Sequence, residues 1–186
     1  DYNKAMKLHE EVYVLRKQIL GVNHPDTLTS LFNLAGSYSD LGDYSKAFEL
    51  HNTVYNARKE ILGEAHPDTL TSLSNLAISY SYLGDYNKSV KLHEEVYISR
   101  KQILGVNHSD TLRSLYNLAI SYSDLGDYNK ACELENIIYN ARKEILGETH
   151  PDTLRSLSNL AISYSNLGDY NKAMKLHEEV YVLRKQ

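Results

Sequence analysis

The stretch His24-Pro25-Asp26-Thr27-Leu28 decides the fold of this chain, because it returns at a fixed distance along the sequence. Its later copies follow in order: His66-Pro67-Asp68-Thr69-Leu70, His108-Ser109-Asp110-Thr111-Leu112 and His150-Pro151-Asp152-Thr153-Leu154. The period is 42 residues in a chain of 186. A fixed period of about 20–50 residues is typical of solenoid proteins, in which each repeat packs mainly on its neighbours.

Each repeat is predicted to form two helices. Apolar residues recur at spacings of three and four on one face of a first helix, helix A: Leu28, Leu31, Leu34, Ala35, Tyr38 and Leu41. Pro25 suits the first turn of helix A, and Gly42 suits its end. Asp43 is a candidate N-cap for a second helix, helix B, which Gly63 ends. No segment alternates with a period of two, so we expect no strands.

The pattern Leu34-Ala35-x-x-Tyr38-x-x-x-Gly42-x-Tyr44-x-x-Ala47 resembles the tetratricopeptide repeat. The recurring His-Pro-Asp-Thr-Leu, Ser-Leu-x-Asn-Leu-Ala and Arg-Lys-x-Ile-Leu-Gly segments are similar to the longer repeats of kinesin light chains and nephrocystin-type proteins. The family's usual repeat has about 34 residues, so the additional residues lengthen helix B by about two turns. The resemblance implies an all-α fold, a right-handed superhelical solenoid of antiparallel helix hairpins with nine helices.

The repeat boundaries predict a single array. Residues 1–24 form helix B of a truncated repeat, residues 25–66, 67–108 and 109–150 form full repeats, and residues 151–186 form a last repeat that is cut after helix B. Terminal repeats of solenoids usually carry a polar outer face, and neither end has one here. We therefore expect a segment of a longer array whose two unlike ends associate head-to-tail.

Composition and charge exclude several classes of partner. The net charge is −4, and the 20 basic residues are interspersed with 24 acidic ones, so no basic stripe for nucleic acid is expected. No apolar run approaches the roughly 20 residues needed to span a membrane. The single cysteine, Cys132, excludes an internal disulfide, which favours a reducing compartment and a cytoplasmic location. We interpret Cys132 as a small buried apolar residue.

The histidines form two sets, and neither has the arrangement of a metal or catalytic site. His24 and its copies stand one per repeat before helix A, which indicates a capping or packing role. A zinc site needs about four ligands that converge on one point. The second set lies on helix B and is interpreted as solvated: His9, His51, His93 and His177, with Glu135 as the fifth copy. We expect no catalytic residue, no metal and no cofactor, and the chain is not interpreted as an enzyme.

Within helix A, the copies differ along one stripe, at positions spaced by three and four. Such a stripe reflects either drift of a solvated face or recognition of a ligand. In tetratricopeptide folds helix A lines the concave groove, and the resemblance implies that the stripe faces into it. The candidate groove residues of the first two repeats are Thr29, Phe32, Thr71, Ser74 and Tyr82, and those of the last two are Arg113, Tyr116 and Arg155.

Asparagine recurs at one helix A position, although it is a mediocre helix former: Asn33, Asn75, Asn117 and Asn159. The resemblance to kinesin light chains implies that these asparagines hold the backbone of a bound peptide. The alternative is a hydrogen bond to the neighbouring helix that sets repeat packing. Because arginine forks pair bidentately with carboxylates and tyrosine is a good interface anchor, we expect a peptide with an acidic residue to bind near repeats three and four.

The expected function is therefore a non-catalytic protein–protein interaction scaffold whose concave groove binds an extended peptide or a partner helix. One alternative is a structural array that self-assembles head-to-tail. Another is the recognition region of a larger signalling protein. Nucleic acid and membrane are not expected as partners.

Overall fold

The protein folds into nine α-helices, with no strand, across residues 2–185, which the computed structural model describes. In chain order the helices are α1 (Tyr2–Leu20), α2 (Pro25–Asp40), α3 (Tyr44–Leu62), α4 (Pro67–Tyr82), α5 (Tyr86–Leu104), α6 (Ser109–Leu125), α7 (Tyr128–Leu146), α8 (Pro151–Asn166) and α9 (Tyr170–Leu183). The even-numbered helices are helix A of successive repeats, and the odd-numbered helices are helix B. The predicted all-α hairpin fold is confirmed, including the 19 residues of helix B in α3.

Two compact units make up the chain, and the boundary between them falls after Leu92, inside α5. In the first unit α1 packs on α2, α2 on α3 and α3 on α4. In the second unit α6 packs on α7, α7 on α8 and α8 on α9. Within residues 2–185, no helix has both the length and the apolar character needed to cross a membrane.

Histidine side chains cap the start of each helix A. The Nδ1 atom of His24 accepts a hydrogen bond of 3.1 Å from the backbone N–H of Asp26, which satisfies one free donor of the first turn. His66, His108 and His150 make the same contact. The predicted capping role of this set of histidines is confirmed. The helix that lacks proline still begins at Ser109, and φ −68° and ψ 142° of His108 match the other caps.

The turn from helix A to helix B uses a glycine and an aspartate. Gly42 has φ +81°, in the left-handed region where a residue without Cβ is favoured. Asp43 then accepts a 3.1 Å hydrogen bond from the backbone N–H of Lys46, which confirms it as the N-cap of α3. The chain therefore reverses within three residues, and helix B lies against helix A.

The core follows the predicted stripe of helix A. Leu28, Leu31 and Leu34 of α2 are each at most 5% exposed, and Val54 of α3 is fully buried. Each such side chain contributes about 1.5–3 kcal/mol by leaving water. The copies of these residues in α4, α6 and α8 are buried as well. Burial on this face leaves the opposite stripe of each helix A available to form a groove.

Candidate functional site

An arginine that is buried or half-buried joins each helix B to the helix A that follows it. Arg58 of α3 is 8% exposed and donates from Nη1 to Ser72 Oγ at 2.9 Å and to the carbonyl oxygen of Asp68 at 3.3 Å. Arg16, Arg100 and Arg142 make the same pair of contacts. No packing role was predicted for Arg58 from the sequence. Its recurrence once per repeat was the available signal for a packing role.

The prediction that the helix B histidines are solvated is wrong for the inner copies. His51 is 5% exposed and His93 is 2% exposed. Their Nδ1 atoms lie 2.8 and 2.7 Å from the hydroxyls of Ser79 and Ser121, respectively. The error arises because this position points at the next helix A, so that helix removes it from water. His177 of α9 is exposed, as predicted.

Glu135 takes the place of this histidine in α7 and is also buried, which corrects the same prediction. The side chain is 5% exposed, and its Oε2 atom has no hydrogen-bond partner. Burial raises the pKa of Glu135 to about 7, and the positive charge of Arg142 partly opposes that rise. Burying a carboxyl group without a full set of hydrogen bonds costs free energy.

Arginines line a pocket of the second unit that lies between α6 and α8. Its volume is about 550 Å³, and Arg113, Arg142 and Arg155 contribute three guanidinium groups. Asp110 pairs with Arg113 at 2.9 Å, and Asp152 pairs with Arg155 at 2.8 Å. Three positive and two negative side chains leave the pocket with a net charge of +1. An anionic group is the complementary ligand.

The structure brings all five predicted groove residues of the second unit to this arginine pocket, because Tyr116, Asn117 and Asn159 line it together with Arg113 and Arg155. Tyr116 and Asn159 also line an adjoining pocket of about 140 Å³, which contains Glu135. We call this second cavity the Glu135 pocket. The groove of the second unit thus combines a positively charged pocket with a neighbouring buried carboxyl group.

The corresponding positions of the first unit are engaged within the protein. Thr29 Oγ1 accepts a 3.3 Å hydrogen bond from Arg58 Nη2. The Phe32 ring lies 5.5 Å from Arg58 Cζ and 5.6 Å from the His51 ring. Thr29 lines a cavity of only about 30 Å³. These side chains pack the groove floor, whereas their copies in the second unit line a larger space.

The remaining candidates of the first unit differ in exposure and in their contacts. Ser74 is 5% exposed, and Asn33 is exposed. Asn75 donates from Nδ2 to the Thr71 carbonyl oxygen of its own helix at 2.9 Å, so this contact is not the alternative bond to a neighbouring helix. Tyr82 is 55% exposed and stacks on Tyr44 with a centroid distance of 4.5 Å. The candidate residues of the second unit therefore line one shared pocket, whereas Thr29 and Phe32 of the first unit make separate contacts within the protein.

The arrangement of the candidate groove residues suits the binding of a ligand. Among residues 2–185, no group of three or more His, Cys, Asp or Glu side chains is placed to hold a metal ion. Cys132 is 6% exposed, as predicted, and burial raises the pKa of its thiol. A raised thiol pKa disfavours the nucleophilic thiolate. What the groove offers a ligand is charge, hydrogen-bond donors and aromatic surface.

Comparison with known proteins places these features in context. The family described as tetratricopeptide repeat matches residues 1–60, 35–97, 68–136 and 110–186. A Podosopora anserina protein, described as of kinesin light chain type with nearly identical TPR-like repeats, is similar in structure. It is 30% identical with a TM-score of 0.85, over 98% of this chain and 87% of that chain. No significant match was found among curated proteins.

Two more distant structures share the fold. BtubC (BKLC) from P. vanneervenii is 23% identical with a TM-score of 0.81, over 100% of this chain and 74% of that chain. PlcR of Bacillus thuringiensis, solved in complex with the peptide PapR7 and DNA, is 14% identical with a TM-score of 0.69. That match covers 96% of this chain and 64% of PlcR.

Proposed function

This chain belongs to the tetratricopeptide repeat family, and on that premise we propose that it is a non-catalytic protein–protein interaction scaffold. Its ligand is an extended peptide or a partner helix, bound along the helix A surface. Repeats of this family generally mediate protein–protein interaction. Solenoids present long surfaces whose usual work is binding.

The arginine pocket of the second unit carries this proposal. Arg113 and Arg155 project from α6 and α8 with side chains 58% and 64% exposed, so both can reach a ligand. The equivalent positions of the first unit are Thr29 and Thr71, where Arg58 stands between Asp26 and Asp68. One positive and two negative side chains give these positions a net charge of −1, whereas the arginine pocket has a net charge of +1. The favoured ligand therefore carries an acidic residue that binds in the second unit.

Tyr116 and Asn159 supply the other features that a peptide groove needs. Both line the arginine pocket and the adjoining Glu135 pocket, so a ligand extended along the groove would pass both residues. Tyrosine provides a large and rigid contact area, and asparagine offers both a donor and an acceptor to a peptide backbone. The PlcR structure contains a peptide, so peptide binding is compatible with this fold in that protein.

The test is a peptide screen followed by a matched pair of variants. Acidic peptides of about twelve residues that bind the wild-type chain in fluorescence anisotropy are titrated against Arg113→Ala/Arg155→Ala. We expect the affinity to fall by at least about tenfold, since each charge-assisted bond contributes on the order of 1.5–3 kcal/mol. Thr29→Ala/Thr71→Ala makes the same replacement at the equivalent positions and should bind normally. Unchanged affinity of the arginine variant would contradict the proposal.

Head-to-tail self-association is a second candidate function, and two exposed apolar positions favour it. Val12 of α1 is 41% exposed, whereas its copies Val54, Val96 and Ile138 are fully buried. Met174 of α9 is 56% exposed, whereas its copy Cys132 is 6% exposed. The two faces are unlike, so contact between them would be open-ended. Sedimentation velocity should show growth with concentration that Val12→Glu abolishes. If the wild-type protein is a monomer at every concentration, head-to-tail self-association is excluded.

A further inference from the structure

Glu135 is a buried carboxyl group whose charge Arg142 offsets only in part. It is 5% exposed, and its Oε2 atom lacks a hydrogen-bond partner among residues 2–185. Arg142 lies two turns further along α7, and its guanidinium donates to Ser156 Oγ at 2.7 Å and to the carbonyl oxygen of Asp152 at 3.4 Å. An isolated buried carboxylate is strongly unfavourable, so the group either stays protonated or receives a cation.

The equivalent residue of the first unit has no such deficit. His51 is uncharged when buried and forms its 2.8 Å contact with Ser79 Oγ. Phe32 packs against the His51 ring at a centroid distance of 5.6 Å. In α7 the histidine is replaced by a longer acidic side chain, and Tyr116 replaces Phe32. Glu135 therefore departs from the packing role of its copies.

The Glu135 pocket has the size and lining of a side-chain subsite. Its volume is about 140 Å³, several times the roughly 30 Å³ that one water occupies in the liquid. Ile120 of α6, Ile162 of α8 and Ala131 of α7 contribute apolar wall, and Asn159 contributes a neutral polar group. Glu135 is the only charged side chain among the residues that line it.

We propose that the Glu135 pocket binds the ammonium group of a lysine side chain from the peptide that the arginine pocket recognises through an acidic residue. This inference rests on the proposed function, because it assigns a second specificity position to the same groove. The aliphatic stem of lysine would contact Ile120 and Ile162, and the ammonium would pair with the Glu135 carboxylate. The shared walls Tyr116 and Asn159 make the two pockets neighbours, so one short peptide reaches both.

The titration of Glu135 supports this assignment. Burial raises its pKa to about 7, so the carboxyl group is partly protonated near neutral pH when the pocket holds no cation. An ammonium group alongside would favour the ionised form and lower that pKa. Binding should therefore release protons near pH 7, and buffers of different ionisation enthalpy reveal such release in calorimetry.

The test uses n-butylamine as a probe, because its four carbons and ammonium group reproduce the lysine side chain. Binding is followed by NMR through the methyl groups of Ala131, Ile120 and Ile162, with n-butanol as the uncharged control. We expect n-butylammonium to bind at least about tenfold more tightly than n-butanol. Glu135→Gln and Glu135→His should each remove that preference. Glu133→Gln, which removes an exposed carboxylate from the same helix, should keep it.

Glu135→His introduces the residue that the copies carry at this position, so a folded protein is expected and circular dichroism verifies it. Equal binding of the amine and the alcohol, or an amine preference that survives Glu135→Gln, would overturn the inference. Arg113→Ala/Arg155→Ala separates the two proposals, because it should lose acidic peptides and keep n-butylammonium. If acidic peptides bind the wild-type chain and n-butylammonium does not, the lysine subsite fails and the scaffold function stands.

Discussion

His51 Nδ1 lies 2.8 Å from Ser79 Oγ, and this contact joins helix B of one repeat to helix A of the next. The Ser79 hydroxyl also lies 3.1 Å from the carbonyl oxygen of Asn75, to which it donates its proton. With its proton on the Asn75 carbonyl, the serine oxygen is free to accept from Nδ1–H of His51, and this arrangement favours the Nδ1–H tautomer of the ring. The buried histidine is a neutral donor in a network that a protonated ring would disturb by placing a charge in the core.

We predict that His51 makes the protein less stable in acid. Burial lowers the pKa of His51 from 6.5 to about 4, so between these values the unfolded chain binds more protons than the folded chain. This contribution is complete above pH 6.5 and is lost as the pH falls towards 4, with a slope of at most about 1.4 kcal/mol per pH unit. Urea unfolding at several pH values should show a flatter dependence for His51→Gln.

His177→Gln is the matched control for this measurement, because His177 is the exposed copy of His51 in α9. It removes one histidine from the same helix position without changing a buried contact. An identical pH dependence for wild type and His51→Gln would show that the buried ring is not the origin of acid sensitivity.

Glu135 should make the protein less stable as the pH rises, which is the opposite of the effect of His51. Its pKa rises from 4.5 to about 7, so between these values the folded chain binds more protons than the unfolded chain. The contribution of Glu135 to the free energy of unfolding is fully present below pH 4.5 and is lost as the pH rises to about 7. Glu135→Gln retains a neutral side chain of similar shape. We expect it to be more stable than wild type at pH 8 and similar to it at pH 4.5, measured by urea unfolding. A variant that is less stable than wild type at pH 8 would contradict this.

Restoring proline at the one helix A that lacks it should stabilise the protein. Ser109 is the first residue of α6, and His108 before it already has the extended backbone that a following proline requires. Ser109→Pro restricts the unfolded chain without changing the folded one, which is worth about 0.4–1 kcal/mol. Thermal unfolding should show a higher midpoint, and the reverse change Pro151→Ser should lower it. A lower midpoint for Ser109→Pro would mean that the N–H of residue 109 has a role in the folded state.

The buried Arg58 should not tolerate lysine. Its Nη1 atom serves both Ser72 Oγ and the carbonyl oxygen of Asp68, while Nη2 reaches Thr29. Lysine keeps the charge but cannot reproduce this planar fork. We expect Arg58→Lys to lower the free energy of unfolding by about 1–3 kcal/mol, measured with urea. Arg184→Lys changes the exposed copy, which is the C-cap residue after α9, and should leave stability unaltered. A loss at both positions would show that the effect does not depend on the buried contacts of Arg58.

Local features of the fold were predictable because their causes lie within a few residues. Pro25 suits the first turn of a helix, Gly42 requires a left-handed backbone, and Asp43 reaches a backbone N–H three residues away. All three were placed correctly from the sequence. The leucine stripe of helix A was also predictable, since a helical period determines which residues share a face. The burial of His51 was not predicted, because it depends on α4. Ser79 of α4, which contacts His51, lies 28 residues away along the chain.

The candidate groove residues also differ in what the structure does with them. Arg113, Tyr116 and Arg155 were selected from variation between repeats, and Asn117 and Asn159 from the recurrence of asparagine. All five line one pocket. Thr29 and Phe32 were selected by the same criterion, yet they pack against Arg58 and His51. Variation along a helix face identifies a position, but the neighbouring side chains decide whether that position is open or filled.

The sequence by itself determined the 42-residue period, the order of the helices and the residues that start and end them, because each depends on short-range backbone preferences. Only the tertiary structure decided which polar side chains are buried between helices. His51 and Arg58 share one helix face with the buried Ala47 and Val54, and Glu135 shares the equivalent face with Ala131 and Ile138. Packing against the following helix A removes them from water, and that desolvation changes their protonation and the partners they need.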